Sequence, residues 1–163
     1  MTDCPFCDVP PFKPDDTPVW LIGDSNNPTG LQHSYKSVTN KIRTTMNSDE
    51  FKQSTKFTPG ARLNMTLAEA NELLTHTEIW EQISTNHTII FTDESTLNNA
   101  DLNKILENLT LPRDWDIIIL PFDKVQYVLT KRAANILIAS SRQFHKSLKV
   151  FIESIPGLRI VHV

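Results

Sequence analysis

Two short runs of consecutive apolar residues, Thr88-Ile-Ile-Phe-Thr92 and Trp115-Asp-Ile-Ile-Ile-Leu120, most constrain this chain. Their apolar residues do not alternate with polar ones, so strands built from them need cover on both faces. Val19-Trp-Leu-Ile22, ended by Gly23-Asp24, reads the same way, and Gln126–Thr130 reads as a shorter strand. Amphipathic segments separate these runs, and strands alternating with helices predict an α/β fold. The expected architecture is a mostly parallel sheet with helices on both sides. At 163 residues, with 39% apolar and 21% charged side chains, one globular domain is expected. No apolar run approaches the ~20 residues of a membrane span.

Six of the ten prolines fall in residues 1–28, so residues 1–16 are expected to form an extended arm ahead of a domain at 17–163. The opening MTDCPFCDVPPFKPDD lacks the basic start and apolar stretch of a secretory signal. The cytoplasm is therefore the expected compartment, without disulfides. Residues 124–163 hold 7 of the 16 Lys and Arg but one of the 19 Asp and Glu. A cationic tail suits either a phosphate-rich partner or the outer faces of helices.

Leu31, Tyr35, Val38, Ile42 and Met46 recur at helical spacing and predict a helix, followed by a loop over 47–65. Thr66-Leu-Ala-Glu69 is a capping box that should start a helix reaching about Thr85. Leu102, Ile105, Leu106 and Leu109 predict a further helix, and Thr130 should cap another through Ala133, Ala134 and Leu137. Phe144, Leu148 and Phe151 suit one more, before a closing segment at Leu158–Val163.

Several constellations carry possible chemistry. Cys4-Pro-Phe-Cys7 has the spacing of a redox pair or of half a zinc site, or is a pair of ordinary thiols in a tail. Trp20-Leu-Ile-Gly-Asp-Ser25 resembles the first block of the GDS-type serine esterases, without their Gly-x-Asn-Asp and Asp-x-x-His blocks. Asp93 and Glu94 follow a buried strand, at the edge where open α/β sheets bind ligands. Adjacent carboxylates suit a hard cation that shares its shell with substrate phosphates. Glu69 and His76 lie two helical turns apart on one helix face and can line one pocket; capping and core packing are the alternative tasks.

From Leu67 to about Leu137 the motifs recur in an order that resembles glycosyltransferase family 25, the lipooligosaccharide and procollagen galactosyltransferases. Ala68-Glu69, Thr75-His76-Thr-Glu-Ile-Trp80, Ile89-Ile-Phe91 and Thr92-Asp93-Glu94 look like its Gly-Glu, Ser-His-x-x-x-Trp, apolar strand and Glu-Asp-Asp segments. Leu111-Pro-Arg-Asp-Trp115-Asp116 and Tyr127-Val-Leu-Thr130-Lys-Arg-Ala133-Ala134 look like two further motifs. The resemblance implies a shortened nucleotide-sugar-transferase (GT-A-like) fold and transfer of a sugar from a nucleotide-sugar donor to a hydroxyl acceptor. It implies Mn²⁺ or Mg²⁺ held by Asp93 and Glu94, with His76 and Glu69 near the reacting groups and Lys124, Lys131 and Arg132 facing the diphosphate. Thr92 replaces the first carboxylate of the acidic motif, and the Arg-rich stretch expected after the first strand is missing. A non-catalytic relative that keeps the scaffold for binding or assembly is the alternative. Neither a membrane span nor a nucleic-acid partner is expected.

Overall fold

The computed structural model describes residues 10–23, 37–92, 104, 114–121 and 125–163. Its frame is a six-stranded mixed sheet of β1 (Val19–Gly23), β2 (Val38–Ile42), β3 (His87–Phe91), β4 (Ile117–Ile119), β5 (Tyr127–Thr130) and β6 (Ile160–His162). The strand order is β2-β1-β3-β5-β4-β6. β1 lies parallel between β2 and β3, and β4 pairs in parallel with β6. β5 runs antiparallel to both β3 and β4. All residues of β3, β4 and β5 are buried, as their unbroken apolar runs demand.

Five helices are described: α1 (Ser48–Gln53), α2 (Pro59–Asn64), α3 (Leu67–Trp80), α4 (Lys131–Ser140) and α5 (Leu148–Ser154). Each contributes buried side chains to one cluster, which meets the sheet at Ile90, Ile117, Ile119, Tyr127 and Leu129. The opposite sheet face carries Leu21, Ile89, Phe91, Ile118 and Val128, with Trp115 and Phe12 against them. Thus the described helices cover one face, and the helix expected over Leu102–Leu109 lies outside the described residues except at Lys104.

The caps explain where the helices begin. Thr66 Oγ1 accepts the Glu69 amide at 3.1 Å, and Glu69 Oε1 accepts the Thr66 amide at 3.0 Å, completing the capping box. Thr130 caps α4 by accepting the Ala133 amide. The expected loop at 47–65 instead contains α1 and α2. Asn47 and Thr58 cap them, and Pro59 occupies the first turn of α2, where a missing N–H costs nothing. These helices are six residues each, too short for a hydrophobic period to show.

Other expectations are corrected. Val38–Ile42 is a parallel strand, not part of a helix; Val38 and Ile42 are four apart, a spacing that suits a helix face, yet pairing with β1 decides the outcome. The segment after β2 is fastened to α3 by side chains: Asn71 Oδ1 accepts the Met46 amide, and Thr75 Oγ1 accepts that of Thr44. α3 ends at Trp80, short of Thr85. The runs 88–92 and 115–120, expected as strands that need cover on both faces, supply the interior strands β3 and β4, with β5 between them.

The extended arm is anchored over its described part. Phe12 packs on His87 and Trp115 with ring centroids 5.5 and 5.8 Å away, while those two rings stack at 5.4 Å. A short 3-10 turn at Pro14–Asp16 follows, held by the Thr17 hydroxyl donating to the Lys13 carbonyl at 2.6 Å. Half-burial of the Phe12 ring should contribute about 1–2 kcal/mol. We expect Phe12→Ala to lose that amount in urea unfolding; an unchanged midpoint would show that the arm does not hold the fold.

Candidate functional site

The sheet has two edges with different chemistry, and the reversed direction of β5 decides which residues reach which. β1 and β3 end at Gly23 and Phe91, so Thr92 leaves the sheet at their shared carboxyl edge. β1 is followed by β2 on one side, and the chain then crosses to β3 on the other. This is a topological switch point, and ligands of open α/β sheets bind outside the carboxyl ends of the strands at such points.

Thr92 is 5% exposed, and its hydroxyl has no hydrogen-bond partner among the described residues. Its amide donates to Gln126 Oε1 at 3.1 Å. Gln126, 1% exposed, precedes β5, and its carbonyl accepts the Leu120 amide at 2.9 Å. One residue, through its side-chain amide oxygen and its main-chain carbonyl, therefore joins the carboxyl ends of β3 and β4. Asp93, Glu94 and Lys124 lie outside the described residues, as do Cys4, Cys7, Asp24 and Ser25. Among the described residues no group of three or more His, Cys, Asp or Glu side chains converges as a metal site.

Lys131 and Arg132 lie at the other edge. β5 pairs Tyr127 with Ile90 and Thr130 with His87, so the residues after Thr130 emerge at the amino end of β3. The Lys131 amide donates to the Asn86 carbonyl at 3.1 Å. Five residues of β3 separate the edges by about 13 Å. Arg132 Nη1 donates to Asp116 Oδ2 at 2.6 Å, and the same oxygen accepts the Arg159 amide at 3.0 Å. Asp116 is fully buried immediately before β4, and its Oδ1 has no hydrogen-bond partner among the described residues. Arg159 also pairs with Asp114. Arg132, Asp116, Arg159 and Asp114 form an ion-pair network at the amino edge, so the sheet places Lys131 and Arg132 at the end opposite Thr92.

His76 and Glu69 are separated as well. Glu69 serves the capping box at the exposed start of α3 and borders a cleft of about 360 Å³ with Asn64, His145 and Lys146. The His76 ring is fully buried. Its Nδ1 lies 2.7 Å from the Tyr127 hydroxyl, which also accepts from Trp80 Nε1 at 2.9 Å. Indole N–H is only a donor and a phenol has one proton, so Tyr127 accepts from Trp80 and donates to His76 Nδ1. That assigns the His76 proton to Nε2, which has no hydrogen-bond partner among the described residues; Glu72 Oε1 is 3.9 Å away. Burial, reinforced by the Arg43 guanidinium, lowers the His76 pKa to about 3, so the ring is neutral at physiological pH. Burial likewise pushes the Tyr127 phenol up. His76 is a core group in contact with neither cleft, and the expected shared pocket with Glu69 is corrected.

A larger cleft of about 610 Å³ lies at the amino edge, bordered by Pro10, Pro11, Lys13, Thr17, Asn86 and His87. Thr92 and Gln126 border neither cleft. Sequence reasoning passed over Gln126 and Asp116 as site residues. Their one signal is a polar residue set directly beside a buried apolar strand, where it needs a partner. No family model matches the chain, and no curated protein matches it.

Tyr127→Phe should cost about 2–4 kcal/mol, because it leaves both Trp80 Nε1 and His76 Nδ1 buried without a partner; chemical denaturation measures it. The pH dependence has a definite sign. His76 titrates near 3 when folded and near 6.5 when unfolded, so between these values the unfolded chain binds more protons. Stability is complete above the unfolded value and falls with acidification by up to about 1.4 kcal/mol per pH unit. His87, lowered by burial, acts in the same direction. Unfolding free energies measured from about pH 6 to about pH 4 should show the loss, and His76→Gln should flatten it.

Proposed function

We propose that the chain is a family 25-like glycosyltransferase with a nucleotide-sugar-transferase (GT-A-like) fold, moving a sugar from a nucleotide-sugar donor to a hydroxyl acceptor. The observation that carries this reading is that the chain leaves the carboxyl edge of β3 at Thr92, beside the topological switch point, with Asp93 and Glu94 next in sequence. The ordered motifs from Leu67 to Leu137 support it, and so does a mostly parallel sheet with a capping box opening α3.

The buried Thr92 hydroxyl, without a hydrogen-bond partner among the described residues, is an oxygen donor at this edge, and oxygen donors suit Mn²⁺ or Mg²⁺. Asp93 and Glu94 would hold the cation. When bound, such an ion supplies positive charge to a departing diphosphate. The chain's own contribution is to fix the backbone at Thr92 and to exclude water from the buried ends of β3 and β5. Lys131, Arg132 and His76 are assigned to structure in this account, and Glu69 to capping.

A second reading has its own observation. Thr92 stands where the resemblance implies a carboxylate, and Arg132 is engaged by Asp116 at the opposite edge, which suits a scaffold that has lost transfer activity. Calorimetric titration with nucleoside diphosphates and their sugars, with and without Mn²⁺, separates the two. We expect metal-dependent binding that disappears in Asp93→Asn plus Glu94→Gln while the fold survives. Absence of nucleotide binding in the presence of metal, or unchanged binding by the double variant, would favour the scaffold.

A further inference from the structure

The fold divides the cations of the basic tail into two sets. Arg132 and Arg159 are paired with Asp116 and Asp114 at the amino edge. Arg142, Lys146 and Lys149 are exposed and make no ion pair among the described residues, and the same holds for Lys56, which the fold sets beside them. We propose that these four cations and the protruding Leu63 form a face that docks on the surface of an anionic lipid bilayer. This face is independent of the transferase reading above.

A parallel bridge between Phe57 and Phe144 sets the two segments side by side. The Thr58 amide donates to the Phe144 carbonyl at 2.9 Å, and the Phe144 amide to the Lys56 carbonyl at 2.7 Å. Both rings point inward, with centroids 5.7 Å apart, so Lys56 beside one and His145 beside the other face outward. Gly60 and Asn64 of α2 share the cleft of about 360 Å³ with His145 and Lys146, which brings α2 to the same face. Leu63 lies three residues after Gly60 and next to Asn64, on that side of the helix, and is 85% exposed. In α5, Leu148, Phe151 and Ile152 face the core and leave Lys149 and Val150 outside. Glu69 also borders the cleft, but its Oε1 is committed to the Thr66 amide and hydroxyl, and residues 141–152 contain no acidic side chain.

The chemistry of the face favours lipid headgroups over nucleic acid. The aromatic rings beneath it, Phe51, Phe57, Phe144 and Phe151, are buried and are not offered for stacking to bases. An exposed aliphatic side chain among cations instead suits acyl chains that lie under a layer of phosphates. Each Lys or Arg held near an anionic leaflet strengthens binding about fivefold.

Co-sedimentation of the full chain with phosphatidylcholine vesicles, with and without phosphatidylserine, tests the proposal. Binding should require phosphatidylserine and should be lost as salt rises from about 0.1 M to about 0.5 M, which shortens the screening length. Lys146→Glu should weaken binding at least about fivefold, and Leu63→Ser about tenfold. Lys131→Glu makes the same change in net charge at the far end of α4, about 14 Å from Ser140 and more than a Debye length away, and should bind within about twofold of wild type. No binding to phosphatidylserine vesicles overturns the proposal, and so does equal weakening by Lys131→Glu and Lys146→Glu. Wild-type binding by Leu63→Ser, or binding to a single-stranded oligonucleotide in place of vesicles, would assign the face to a soluble polyanion and overturn it as well. Should Lys146→Glu fail to fold, Lys149→Glu takes its place with the same expected loss.

Discussion

β5 runs against both of its neighbours, and the distribution of chemistry over the molecule depends on that reversal. In a parallel arrangement, the residues following β5 would emerge at the carboxyl edge with those following β3. Here the start of β5 reaches that edge instead, which places Gln126 against Thr92 and sends Lys131 and Arg132 to the amino edge with Asp116. A polar clamp therefore lies at one end of the sheet and an ion-pair network at the other. Thr130 bridges the reversal, since it pairs with His87 as the last strand residue and caps α4 as the first helical acceptor.

The Tyr127 hydroxyl is the second tie. It joins the central strand to the longest described helix through Trp80 and His76, and both partners are buried where no water replaces a lost bond. The ring stack of His76 on Tyr127 and the contact of Trp80 with Phe151 extend this tie to α5. Neutrality of His76 is part of the packing, because a charge on a fully buried ring between Tyr127 and Trp80 would be strongly desolvated. Acid sensitivity follows from the core rather than from a surface switch.

The strands that carry the core were legible because β1, β3, β4 and β5 each hold an unbroken apolar run, and the helix starts at Thr66 and Thr130 were legible from capping chemistry. What stayed hidden depended on partners distant in sequence. Val38 and Ile42 fit a helical stripe as well as a strand, and only β1 selects the strand. α1 and α2 are shorter than two turns, so only their caps announce them. The spacing of Glu69 and His76 places both on α3, yet burial separates an exposed cap from a core ring. The positions of Lys131 and Arg132 required the direction of β5, which no local pattern encodes.

We propose the carboxyl edge of β1, β3 and the start of β5 as the functional end of the sheet, and the amino edge as a structural one. Paramagnetic broadening of backbone amide signals by Mn²⁺, added with a nucleoside diphosphate, tests this most directly, because it reports where the ion sits without presuming a reaction. Gly23, Thr92 and Gln126 should broaden first while His87, Lys131 and Arg132 remain sharp. Broadening centred on His87, Lys131 and Arg132, or spread evenly over the chain, would contradict it.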